Sequence, residues 1–92
     1  MDIGKAIKTI RKAKGLSQKA LAEKAGISAN AMCSIENNDS FPNKSTISRI
    51  CNALDIPISY LLFASITDED VPEDKLPVFK ALYEPIIKLL MS

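Results

Sequence analysis

Proton transfer and nucleophilic attack have little to work with in this chain of 92 residues, which contains no histidine and only two cysteines. Without imidazole there is no His-based triad, no His metal ligand and no charge switch near neutral pH. Cys33 and Cys51 are too few for a four-thiolate zinc site or a secreted disulfide scaffold. There is no glycine-rich phosphate loop and no carboxylate pair set in a plausible cleft, so no enzyme is expected, and neither a cofactor nor a metal is implied. The chemistry that remains is recognition. Ser17 and Ser28 each stand where a helix begins, and a helix start presents free N–H groups and a partial positive charge. The starts at Gln18 and Ala29 are therefore natural sites for a phosphate.

Charge supports binding over catalysis. Residues 1–64 carry nine Lys/Arg against five acids, a net +4, while residues 65–92 carry three against six, a net −3. A basic amino-terminal segment with an acidic tail is the electrostatic outline of a nucleic-acid binder with an interaction arm. The start of the sequence, Met1-Asp2-Ile3-Gly4-Lys5, lacks the apolar core of a signal peptide, and no apolar run approaches a membrane span. The expectation is a cytoplasmic protein with reduced thiols and no membrane partner.

The elements that would position these residues are helical. Ile3, Ile7 and Ile10 fall at i, i+4, i+7 among lysines, which predicts an amphipathic helix closed by Gly15. Ser17 caps a second helix, with Leu16 and Leu21 spaced as a hydrophobic staple, and Gly26 ends it. The same signal repeats at once, with Ile27 before the cap Ser28 and Met32 in the stapling position. Two short helices across a turn of about three residues predict a helix-turn-helix. Asn43 caps a fourth helix with Ile47, Ile50, Cys51 and Leu54 on its core face, Asp55-Ile56-Pro57 breaks it, and residues 58–63 form a fifth. Residues 65–74 read as an acidic linker or exposed turn. Beyond them Leu76, Phe79, Tyr83, Ile86 and Leu90 repeat at 3, 4, 3, 4 spacing, a seam that packs either on its own domain or on a second copy. Pro85 within it predicts a kink or a break.

The run Gly15-Leu16-Ser17-Gln18-Lys19-Ala20-Leu21-Ala22-Glu23-Lys24-Ala25-Gly26-Ile27-Ser28, with Ile35-Glu36-Asn37 and Ile47–Leu54 in register, resembles the Xre/Cro-C1 family of helix-turn-helix DNA-binding domains. The resemblance covers about Ile3 to Phe63. It implies an all-α, five-helix, lambda-repressor-like domain over residues 1–64. Outside the resemblance, the residue pattern gives the linker 65–74 and a carboxy-terminal helical arm, 75–92, expected to dimerise through its apolar seam because the five-helix core is complete without it. The resemblance further implies a third helix, about Ser28 to Asn37, that lies in the major groove. By that likeness Gln18 touches the DNA backbone, Ala29, Asn30 and Ser34 read base edges with Ala31 and Cys33 beside them, Asn37 contacts the backbone, and Lys44 approaches phosphates or the minor groove. Arg11 and Glu36 match a buried pair that ties the first helix to the third. Asn30 has the amide that pairs with adenine N6 and N7, and Ala29 or Ala31 can meet a thymine methyl. This helix carries no Arg, Lys or Gln, so DNA deformability and dimerisation would have to supply part of the discrimination.

The function implied is a transcriptional regulator, a repressor acting as a homodimer on palindromic double-stranded DNA. The alternative is a helix-turn-helix scaffold that works as a protein-interaction module or antitoxin, with a second protein held by the arm.

Overall fold

Four helices begin on a polar side chain that accepts a backbone N–H of their first turn. Asp2, Ser17, Ser28 and Asn43 accept from Lys5, Ala20, Ala31 and Thr46 at 2.9, 3.0, 3.0 and 2.8 Å. The computed structural model, which describes residues 1–91, runs from these caps as α1 (Ile3–Ala13), α2 (Gln18–Ala25), α3 (Ala29–Glu36) and α4 (Lys44–Leu54), followed by α5 (Ile58–Ala64) and α6 (Leu76–Met91). The fold is all-α, as the residue pattern predicts. Ser92, the last residue of the expected arm, lies outside the described residues.

The first four helices also end alike. Gly15, Gly26, Asn38 and Asp55 have φ of 72, 71, 61 and 58°, the left-handed region. After each, an N–H reaches back five residues, from Leu16 to Arg11, Ile27 to Ala22, Asp39 to Ser34 and Ile56 to Cys51, at 2.9–3.0 Å. These closures satisfy carbonyls that the helix end would otherwise strand. Glycine adopts this conformation without strain, whereas Asp55 holds it at a steric cost.

α2 and α3 have only eight residues each. Helices this short are marginal in water and depend on what they bury. α1 contributes Ile3, Ile7 and Ile10, α2 Leu21, Ala22 and Ala25, α3 Met32 and Ile35, α4 Ile50, Cys51 and Leu54, and α5 Leu61 to one core. Leu16 and Ile27, each just before a cap, pack against that core.

α1 crosses α3 at a point set by Gly4. A Cβ there would stand 2.5 Å from the Ile35 carbonyl oxygen and from Asn38 Oδ1, and 2.8 Å from the Glu36 carbonyl oxygen. The Gly4 N–H donates to Asn38 Oδ1 at 3.2 Å, and Asn38 Nδ2 donates to Asp2 Oδ1 at 3.0 Å. The Asn38 amide and the Lys5 N–H hold the Asp2 carboxyl below the usual carboxylate range. Asn38, at the end of α3, thus binds the start of α1 from both sides of its amide.

Residues 65–75 run through two short 3-10 turns, Asp68–Asp70 and Glu73–Lys75. The Asp70 carboxylate accepts the Thr67 N–H at 2.8 Å and its hydroxyl at 3.1 Å, which folds the first of them. α6 continues through Pro85, where the sequence leaves a choice of kink or break. Pro85 and Ala81 both lie on the exposed side of α6, so the Ala81 carbonyl deprived of its intrahelical donor is open to water.

Two substitutions test these positions by thermal unfolding. Gly4→Ala forces a methyl against backbone carbonyls of α3 and should cost about 2–3 kcal/mol. Asp55→Gly relieves the left-handed strain at the end of α4 and should raise stability by about 0.5 kcal/mol.

Candidate nucleic-acid interface

A buried carboxylate organises the three helices nearest the candidate surface. Glu36, whose side chain is 1% exposed, ends α3 and faces Arg11 near the end of α1. Arg11 Nε donates to Glu36 Oε2 at 2.8 Å and Nη2 donates to Oε1 at 3.0 Å, a two-pronged pair. Arg11 Nη1 donates to the Leu16 carbonyl at 3.0 Å, in the turn before α2. Gln18 Nε2, at the first position of α2, donates to Glu36 Oε1 at 3.2 Å. The structure therefore joins Arg11 and Glu36 directly and adds Gln18 to them, a contact that the sequence reading does not include.

The turn between α2 and α3 is Gly26-Ile27-Ser28, and it delivers α3 with its buried face, Met32, Ile35 and Glu36, pressed on the core. At 100° per residue the opposite face collects Asn30, Cys33, Ser34 and Asn37, of which Ser34 is half-buried and the others are exposed. Ala29, exposed at the first position, and half-buried Ala31 each lie about 100° around the axis from Asn30, to either side of that face. Asn37 Nδ2 donates weakly to Cys33 Sγ at 3.5 Å. The Ala29 and Asn30 N–H groups belong to the first turn, where no intrahelical acceptor exists. Gln18 presents the comparable start of α2, and exposed Lys44 opens α4 beside its cap Asn43.

Cys51 lies in the core, where burial pushes its thiol up and keeps it an uncharged small hydrophobe. Within the arm, Tyr83 donates to the Ala64 carbonyl at 2.8 Å and stacks on Phe63 at 5.5 Å. Burial, with Glu84 adding to it, raises the Tyr83 phenol and keeps it a donor. Phe79 tilts against Tyr83 at 5.3 Å, while Leu76, Ile86 and Leu90 are half-buried. Val78 and Leu82 on the far side of α6 are exposed. The seam read from the sequence thus turns Tyr83 inward, and α6 carries a second apolar strip facing out.

Gly4 and Asn38 are the structural residues that sequence reasoning missed. An asparagine just past a helix end is a usable signal for a left-handed position, but nothing local marks Gly4 as a crossing point.

A family model described as a helix-turn-helix domain matches residues 4–64. Over 62 residues the chain is 39% identical to the immunity repressor protein of Bacillus phage phi105, a stretch that covers 67% of this chain and 43% of that repressor. The chain therefore spans less than half the length of this relative.

The ion pair can be tested by a double-mutant cycle followed with urea. Arg11→Met or Glu36→Leu alone should cost about 3–5 kcal/mol, because each strands a buried charge, and the double substitution should cost clearly less than their sum. Additive losses would mean that the two side chains contribute independently.

Proposed function

The chain belongs to the helix-turn-helix domain family, and from that premise we propose that it is a DNA-binding transcriptional regulator of the Xre/Cro-C1 type. It acts as a repressor, by occupying double-stranded operator DNA. The observation that carries this reading is the exposed strip Asn30, Cys33 and Asn37 on a helix whose other face is locked into the core. A base-reading surface needs that rigidity, because hydrogen bonds to base edges tolerate little misplacement. The likeness to a phage immunity repressor supports the same reading.

In this reading Asn30 contacts a base edge, Ala29, Cys33 and Ser34 pack beside it, and Asn37 and Lys44 approach the backbone. Ala31, off the strip, contributes least. Gln18 has one amide hydrogen committed to Glu36 and a second available for a phosphate oxygen. The ion pair thereby holds the phosphate-binding amide in place. A helix without Arg or Lys reads few bases, so the protein works as a homodimer on a palindromic site, with two α3 helices about 34 Å apart. The arm that includes Leu76, Phe79, Tyr83, Ile86 and Leu90 takes part in that pairing.

Sequences selected from random DNA, titrated over a range of salt, test this. Log affinity should fall with log salt by about 0.9 per phosphate contacted. Asn30→Ala should relax preference at one base position by about 1–3 kcal/mol, while Gln18→Ala should weaken all sequences about equally. No sequence preference at low salt would favour the scaffold reading, in which the domain binds a second protein.

A further inference from the structure

Beside the start of α1 the surface opens into a groove of about 1030 Å³ between α1, α6 and the loop that follows α3. Ala6 and Ile10 of α1 and Ile87 of α6 line it, as do Phe79 and Tyr83, and Thr9 is exposed at its edge. Phe41 also borders the groove, and at 76% exposed it is the most open large hydrophobic among those described. Its neighbour Pro42 is buried, and the Ser40 N–H donates to the Ser34 carbonyl at 3.3 Å. The loop is therefore anchored on both sides of an aromatic ring that it leaves in water.

We propose that this face is where two copies of the chain meet, with Phe41 of each copy inserted into the groove of the other, against Phe79 and Tyr83. The inference rests on the homodimer reading above and names its contact. A two-fold interface must be self-complementary, so a projecting group and the recess that receives it have to lie on one surface. Phe41 and the groove satisfy that condition in a single chain. Charges of both signs line the groove: Lys80 pairs with Asp68 of its own chain at 3.3 Å, which leaves Lys5 to be set by a two-fold rotation against Glu69 or Glu84 of the other copy. An aromatic side chain filling a desolvated recess is the usual form of an energetic centre in an interface. Asn38, just past the end of α3, lines the same groove, so this contact also brings the carboxy-terminal ends of the two α3 helices towards the axis.

Sedimentation equilibrium of the full chain without DNA tests the contact. Phe41→Ala removes the projection and Thr9→Arg obstructs the recess. Both residues are exposed, and circular dichroism should show the fold unchanged. Each variant alone loses both symmetric contacts and should dimerise about 100-fold more weakly. Mixed together, a Phe41→Ala chain still offers an open groove and a Thr9→Arg chain still offers Phe41. The mixed dimer should therefore be tighter than either variant with itself. A wild-type chain that stays monomeric at several hundred micromolar overturns the proposal, as does a Phe41→Ala chain that dimerises like wild type. In the second case DNA binding by a dimer would leave the regulator reading intact. Loss of DNA affinity in Phe41→Ala with self-association unchanged would assign Phe41 to DNA and overturn the contact. Dimerisation through Phe41 without any DNA sequence preference would support the contact and overturn the regulator reading.

Discussion

A carboxylate that is almost wholly withdrawn from water has to be surrounded by donors, and Glu36 obtains them from two other helices. Two come from Arg11 on α1 and one from Gln18 on α2. Because Glu36 is the last residue of α3, this requirement fixes the end of α3 against the end of α1 and the beginning of α2. A buried pair of this kind contributes more to geometry than to net stability, since desolvation offsets most of the Coulombic attraction. Here the geometry is the useful part. The first turn of α2 and the exposed strip of α3 are both referred to one rigid anchor.

The helices that this anchor orients are too short to persist alone, and their boundaries are correspondingly strict. Polar caps at Asp2, Ser17, Ser28 and Asn43 stop them at one end, and left-handed residues at Gly15, Gly26, Asn38 and Asp55 stop them at the other. Every residue between is then committed to the core or to the surface. That sharpness gives α3 a clean outer strip, and it places Phe41 and Lys44 at set distances beyond its end. Asn38 serves twice, since the same residue that turns the chain out of α3 also holds the first turn of α1.

α6 differs from the other helices. None of its residues is fully buried, and its apolar residues cover more than one face. Tyr83 uses a neutral phenol and a stacked ring to hold one face on α5, with Phe79 beside it. The exposed ion pair between Lys80 and Asp68, at 3.3 Å, adds little. The result is a helix attached along one strip, with an open groove to one side and apolar Val78 and Leu82 behind. An element built this way adds recognition surface to a core that is already complete.

Much of the architecture was legible in the residues alone. Caps, terminal glycines, staples and the spacing of Ile3, Ile7 and Ile10 act over at most seven positions, so they can be read wherever they occur. They located α1 through α5 and the three-residue turn, and the family resemblance paired Arg11 with Glu36. What could not be read depends on residues brought together from afar. Gly4 meets Asn38 across 34 positions, Gln18 meets Glu36 across 18, and Tyr83 reaches Ala64 across 19. Periodicity shows that α6 is amphipathic, but only packing decides which side of a helix with two apolar faces turns inward. Likewise, helical spacing puts Asn30, Cys33, Ser34 and Asn37 on one face of α3, while the rotation of α3 about its axis, set by Met32, Ile35 and Glu36 entering the core, decides that this face is the one turned outward. Local chemistry determined where the helices start and stop; the burial of one carboxylate and one apolar core decided what each of them faces.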